Sequence, residues 1–271
     1  MRDSLVAAAV MPTRPSLQAD GVLLDLDGTL YDVDKAIAGA PQTVVQLRRA
    51  GIPFRFVTNT SRMSRREVRE HLQGLGIETE LEELFTTTVG AASWLVGHGI
   101  ERVALCLPKA TREDFGHLTI DEDSPEAVVV GDLGYEWSFG LLNRAFRWLN
   151  GGAILVATHR NRYWRTADGI TLDAGPFIVA LEYATGRQAT TVGKPNPEFF
   201  QLSAQSMALS PRDVVMVGDD LENDIVGIQN VGGRGILVRT GKFQETDLTD
   251  PDIQPDMVVN SIADLPGVLL G

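Results

Sequence analysis

Two aspartates one residue apart, Asp25 and Asp27, close the apolar run Gly21-Val-Leu-Leu and are followed at once by Gly28-Thr29. Successive side chains of an extended chain point to opposite faces, so both carboxylates face one side while Leu26 turns into the core. Two carboxylates this close do not both ionise comfortably unless a cation neutralises them or one keeps a proton. Such a pair suits nucleophilic or acid–base work beside a hard metal ion.

Three more pieces follow in order: Thr58-Asn59, Lys194-Pro195, and Gly218-Asp219-Asp220 with Asp224. Each alone is also ordinary turn chemistry. Together, each after an expected strand, they supply a hydroxyl with adjoining N–H groups, a compact positive charge and further carboxylates. These are the groups that stabilise a transferring phosphoryl group.

The elements that must position them alternate. Gly21–Asp27 reads as a buried parallel strand opening into a loop, Pro41–Ala50 as a helix that begins with Pro and stops at Gly51, and Ile52–Val57 as a second strand. Ser64 and Glu67 form a capping-box pair at the start of a helix through Val68 and Leu72. Beyond about Thr88 a fresh series begins: helix 91–96, strand 103–107, strand 127–130, helix 141–149 and strand 153–157. From about Gln188 the first pattern resumes, with a helix near 199–207, strand Val214–Val217, a helix through Ile225 and Ile228, and strand Gly235–Val238. The expected division is a loose tail over 1–19, a catalytic core over 20–88 and 188–271, and an inserted cap over 89–187. Polar residues gather after strand ends, where open parallel sheets bind ligands.

The chain has 271 residues and a net charge of −12, with 24 Lys plus Arg against 36 Asp plus Glu and no basic block. Nucleic acid is therefore not an expected partner. The single cysteine, Cys106, rules out an intrachain disulfide and a cysteine-rich zinc site and fits a reducing cytoplasm. No segment approaches the roughly 20 apolar residues of a membrane span.

In order and spacing the four pieces resemble the motifs of the haloacid dehalogenase (HAD) superfamily of phosphotransferases, over nearly the whole chain. The resemblance implies an α/β fold, a Rossmann-like core with a parallel sheet and an inserted α/β cap, and a Mg²⁺-dependent phosphatase acting on small phosphorylated substrates. It implies Asp25 as the nucleophile that takes the phosphoryl group and Asp27 as the acid and base that serves the leaving oxygen and the attacking water. Mg²⁺ would be held by the Asp25 carboxylate, the Asp27 carbonyl and Asp219, with Asp220 and Asp224 behind them. Thr58, Asn59, Thr60 and Lys194 would bind phosphate. Dehalogenases of the superfamily lack the acid at the Asp27 position, which favours phosphoryl transfer.

An insertion after the second motif resembles the α/β-capped NagD-like group. The segment Asn161-Arg-Tyr-Trp164 to Gly186 resembles the branch that includes phospholysine phosphohistidine inorganic pyrophosphate phosphatase, which implies monoester, pyrophosphate or phosphoramidate hydrolysis. Ser61, Arg62, His159, Arg160, Arg162, Tyr163 and Trp164 are the candidates for substrate recognition. Each also has a purely structural reading: Ser61 as a helix cap, Tyr163 and Trp164 as packing between cap and core, Arg160 and Arg162 as solvated, and His159 as the partner of a local backbone group. His71, His98 and His117 show no metal-ligand spacing and receive no role. Similar proteins dimerise through the cap, but no residue here marks an interface. A mutase, or a binding protein of the same fold, are the competing readings.

Overall fold

The computed structural model describes residues 17–166, 169–251 and 253–270. Within them the chain forms two parallel α/β sheets, one inserted into the other. The first has six strands in the spatial order Met257–Val259, Arg234–Val238, Val214–Gly218, Gly21–Asp25, Phe54–Thr58, Leu84–Thr86. Gly21–Asp25 pairs with Val214–Gly218 on one side and Phe54–Thr58 on the other, so the strand order reverses between Asp25 and Asp219. That reversal opens a crevice at the strands' C-terminal ends.

Period-two alternation builds the core on both sheet faces. Val22, Leu24, Phe56, Val215 and Val217 point to one face, against Val44 and Leu47 of the helix Ala40–Arg49 and Leu72 of the helix Arg65–Gly74. Leu23, Val57, Val214 and Met216 point to the other, against Phe199 and Phe200 of the helix Pro197–Gln205. Burial on both faces makes these strands read as continuous apolar runs.

The second sheet has five parallel strands in the order Thr190–Thr191, Ile154–Ala157, Ala127–Val130, Arg102–Cys106, Thr119–Ile120. Val103, Leu105, Val129 and Val156 pack on Ala91 and Leu95 of the helix Thr87–Gly97. Val128, Val130 and Ala157 pack on Leu149 of the helix Phe139–Asn150 and Ile178 of the helix Ala174–Thr185. Cys106 is buried here, and burial pushes its thiol up to about 12, leaving it inert.

Several details differ from the sequence reading. Thr190–Thr191 pairs in the second sheet and Val192 packs in its core, so the inserted unit extends beyond the expected seam at 187/188. The edge strand Leu84–Thr86, only three residues long, and the antiparallel hairpin Tyr163–Thr166 with Gly169–Leu172 were not expected. Of the expected tail, residues 1–16 lie outside the described residues. Residue 17 is not loose: the Leu17 N–H donates to the Val268 carbonyl at 3.2 Å and its side chain packs on the core. The side chain of Trp164 and residues 167–168 also lie outside the described ones. Among the described residues no helix is long and apolar enough to cross a membrane.

Candidate active site

The expected residues meet in a cleft of about 420 Å³ between the two units, at the C-terminal ends of the core strands. Asp25 ends its strand, Thr58 ends the neighbouring one and Asp219 directly follows the strand on the other side of the reversal. Lys194 arrives from the loop before the helix Pro197–Gln205. Asn59 clamps that loop: its Nδ2 donates to the Lys194 carbonyl at 2.9 Å and its Oδ1 accepts from the Lys194 N–H at 2.8 Å. Both ends of the amide are spent on backbone, so Asn59 positions Lys194 and differs from the phosphate ligand expected of it.

The ammonium of Lys194 is buried between two carboxylates, donating to Asp25 Oδ1 at 2.5 Å and Asp224 Oδ1 at 2.6 Å. Burial alone would lower its pKa, but Asp224 and Asp25 outweigh that and hold it raised, so it stays charged. Asp224 reaches this position from a π-helical turn, Leu221–Val226. The approach demands glycine at 218, where a Cβ would stand 2.1 Å from Asp224 Oδ2. Gly28 has φ of 81°, and a Cβ on it would stand 2.0 Å from Asp219 Oδ2. The turn after Asp27 therefore needs glycine for both its conformation and its closeness to Asp219.

Asp25, Asp219 and Asp224 each offer a carboxylate oxygen, and these lie within 4.8 Å of one another. All three are buried. Burial, then Asp25 and Asp224, push Asp219 well above the ordinary carboxylate range. Burial also raises Asp224, with Lys194 opposing it. One ammonium among three buried carboxylates leaves negative charge to be compensated, and the donors are all hard oxygens, so the residues present fit Mg²⁺. The Lys242 N–H donates to Asp219 Oδ2 at 2.6 Å and fixes that carboxylate. Asp220 stands apart from this cluster: its oxygens accept from Asn223 N–H and Nδ2 at 2.9 Å and from Lys242 Nζ at 3.0 Å.

Asp27 opens onto the same cleft. Partial burial, then the neighbouring Asp25, hold its carboxyl above the ordinary range, so it keeps a proton more readily than a free aspartate. The Thr60 N–H donates to Thr58 Oγ1 at 3.1 Å, which leaves the Thr58 hydroxyl proton free to be given elsewhere.

The cap side of the cleft is made by Asp132, His159, Asn161 and Asp173. Ser61 Oγ accepts from the Asp132 N–H at 2.8 Å and lies 3.2 Å from His159 Nε2. Arg62 faces Asp132 Oδ2 at 3.5 Å. Ser61, Arg62 and His159 therefore meet where the sequence led us to expect recognition, although Ser61 does not cap the following helix; Ser64 does, in the expected capping box. Arg160 is bound through both guanidinium nitrogens to Glu182, at 2.6 and 2.8 Å. Arg162 and Tyr163 do not line the cleft, and Tyr163 is 55% exposed on the hairpin. His71, given no role from sequence, lines the cleft beside Tyr31. Asp132, Asp173, Asn161 and Lys242 were missed. Asp132 had a signal, since it follows the apolar run Ala127-Val-Val-Val-Gly131; the others sit in loops without one.

Family models match at two places: haloacid dehalogenase-like hydrolase over residues 22–120 and a HAD-hydrolase-like model over residues 191–265. Phospholysine phosphohistidine inorganic pyrophosphate phosphatase from Homo sapiens is 37% identical over 256 residues, covering 92% of this chain and 94% of the relative. The chain belongs to the haloacid dehalogenase-like hydrolases. Human haloacid dehalogenase-like hydrolase domain-containing protein 2 is 41% identical over 226 residues, covering 83% and 86%. NagD from E. coli shares the fold, with a TM-score of 0.86 at 22% identity over 93% of this chain and all of that one. A p-nitrophenyl phosphatase from Archaeoglobus fulgidus superposes with a TM-score of 0.84 at 27% identity, covering 92% and 98%. A glycerol phosphate phosphatase from Mycobacterium tuberculosis, solved in complex with magnesium, gives 0.83 at 29%, covering 92% and 76%. Within the family this chain is a NagD-like phosphatase.

Proposed function

We propose that the chain is a Mg²⁺-dependent phosphatase of small phosphate monoesters that works through a phosphoryl group carried on Asp25. The observation that carries this reading is the buried set of Asp25, Lys194, Asp219 and Asp224 at the reversal of the core sheet. Asp25, Asp219 and Asp224 offer the carboxylate oxygens for the ion, which when bound neutralises the carboxylates and the incoming phosphate so that anion can meet anion.

The side chains divide the work as follows. An Asp25 carboxylate oxygen attacks phosphorus, the P–O bond to the leaving group breaks, and Asp27 gives its proton to the departing oxygen. Water then attacks the phosphorus, Asp27 takes the water's proton, and the bond to Asp25 breaks to release phosphate. Lys194 holds Asp25 in place and, always charged, offsets the charge gathered on the phosphoryl oxygens. The free proton of Thr58 donates to one of those oxygens. The cap shields the cleft from bulk water.

The test is phosphate release from p-nitrophenyl phosphate, pyrophosphate, a phosphoramidate, sugar phosphates and nucleotides, in Mg²⁺ or EDTA, with Asp25→Asn alongside. Metal-dependent release that the variant loses supports the reading. Isomerised product without free phosphate means a mutase, and silence from folded protein means a binding role.

A further inference from the structure

Among the described residues, the wall that the cap turns towards Asp25 is polar: the cap residues lining the cleft are Asp132, His159, Asn161 and Asp173. Asp132, His159 and Asp173 are at least nine-tenths buried. We propose that Asp132 and Asp173 read the leaving group, selecting phosphate esters of compact polyols and amino alcohols over those whose leaving group is anionic or aromatic. This rests on the phosphatase reading of the same cleft.

Charge decides against a second anion. On the cap side of the cleft the described residues set two carboxylates, Asp132 and Asp173, beside one core cation, Arg62, while the five carboxylates around Asp25 stand at the metal and phosphoryl end. Lys194 is committed to Asp25 and Asp224, and Lys242 to Asp220. Arg62 faces Asp132 at 3.5 Å. His159 lies 3.5 Å from Asp173 Oδ1 but supplies no charge, because burial lowers its pKa to about 4 with Asp132 only partly opposing. A leaving group bearing a carboxylate or a second phosphate would therefore meet two acidic side chains and a neutral imidazole with Arg62 already facing Asp132, whereas hydroxyl or ammonium donors meet acceptors.

Both carboxylates line the cleft, Asp132 beside Arg62 and Asp173 hydrogen-bonded by the Asn161 side chain. Each spends one oxygen on the local backbone: Asp132 Oδ1 accepts from the Gly134 N–H at 2.9 Å, and Asp173 Oδ1 accepts from the Ala174 N–H at 2.6 Å as the cap of its helix. Asparagine reproduces both of those hydrogen bonds through its own carbonyl oxygen. Exchanging Asp for Asn thus removes the charge at the wall while retaining the turn and the helix cap. Among the described residues the apolar lining comes from the core, at Val33 and Met63, and the cap offers an aromatic leaving group no apolar partner.

The experiment is kcat/KM in Mg²⁺ for glycerol 1-phosphate, O-phosphoethanolamine, 2-phosphoglycolate and p-nitrophenyl phosphate, with the wild-type chain, Asp132→Asn, Asp173→Asn and the double variant. The expected result is a wild-type preference for glycerol phosphate or phosphoethanolamine over phosphoglycolate of about tenfold or more, one lost or gained charge–donor contact. The double variant should lose that preference through KM, with p-nitrophenyl phosphate changed far less. Equal changes on all four substrates, or none, would make the two carboxylates turn and helix caps only and overturn the proposal, as would phosphoglycolate being preferred. Silence of the wild type on every ester would instead overturn the phosphatase reading beneath it.

Discussion

The two sheets of this chain are built alike and used differently. Both are parallel, both bury alternate residues on two faces, and both turn residues at or just beyond strand ends into the same cleft: Asp25, Thr58 and Asp219 from the core, Asp132 and His159 from the cap. In the core, Asp25 and Asp224 are locked together by short hydrogen bonds from Lys194, whereas the cap contributions are spaced along a polar wall. The difference teaches that chemistry demands a fixed constellation and selection does not. Substitutions in the core should abolish the reaction, and substitutions in the cap should change which substrates undergo it.

The sharpest way to break that comparison is Asp25→Asn, for which we expect a loss of kcat of at least about 10³-fold, as for other nucleophile deletions. Steady-state assay of folded variant checks it, and residual turnover near wild type would remove Asp25 from its role. Next comes Lys194→Met, which leaves Asp25 and Asp224 without their buried cation. Breaking such a pair costs about 3–5 kcal/mol. A denaturant melt in EDTA should show the loss of stability, alongside lost activity in Mg²⁺.

Asp27→Asn sharpens the division of labour. Removing a general acid costs about 10²–10⁴-fold where the leaving oxygen needs a proton. The loss should be large for glycerol 1-phosphate and distinctly smaller for p-nitrophenyl phosphate, whose leaving group departs as a stable anion. An equal loss on both would mean that Asp27 acts by another route. At the small end, Arg162→Ala and Tyr163→Ala should leave kcat/KM within about twofold, the range of exposed substitutions. A larger change on any tested ester would bring the hairpin into the cleft's function.

The core was legible because its chemistry is local in sequence. Asp25 and Asp27 lie two apart at the end of an apolar strand, and Lys194 and Asp219 sit in short Gly-containing turns that mark themselves. Asn59 was legible as a site residue but not as a clamp, since its partner is 135 positions away. In the cap, aromatic and basic residues at 160–164 drew attention by type, yet Arg160 is bound to Glu182 and Tyr163 sits on an outward hairpin. The strand-end rule that found Asp25 applies equally to Ala127–Val130 and leads to Asp132. Asp173 and Lys242 had no such signal: one is brought in as a helix cap and the other by the hydrogen bond from its N–H to Asp219, and both depend on contacts made only in the folded chain.

The most direct test of the account is to acid-quench the enzyme during turnover of p-nitrophenyl phosphate in Mg²⁺ and map any covalent phosphoryl group by peptide mass spectrometry. The account predicts a phosphoryl group on Asp25, absent in EDTA and in Asp25→Asn. A phosphoryl group on another residue, or sustained turnover by Asp25→Asn, would contradict it.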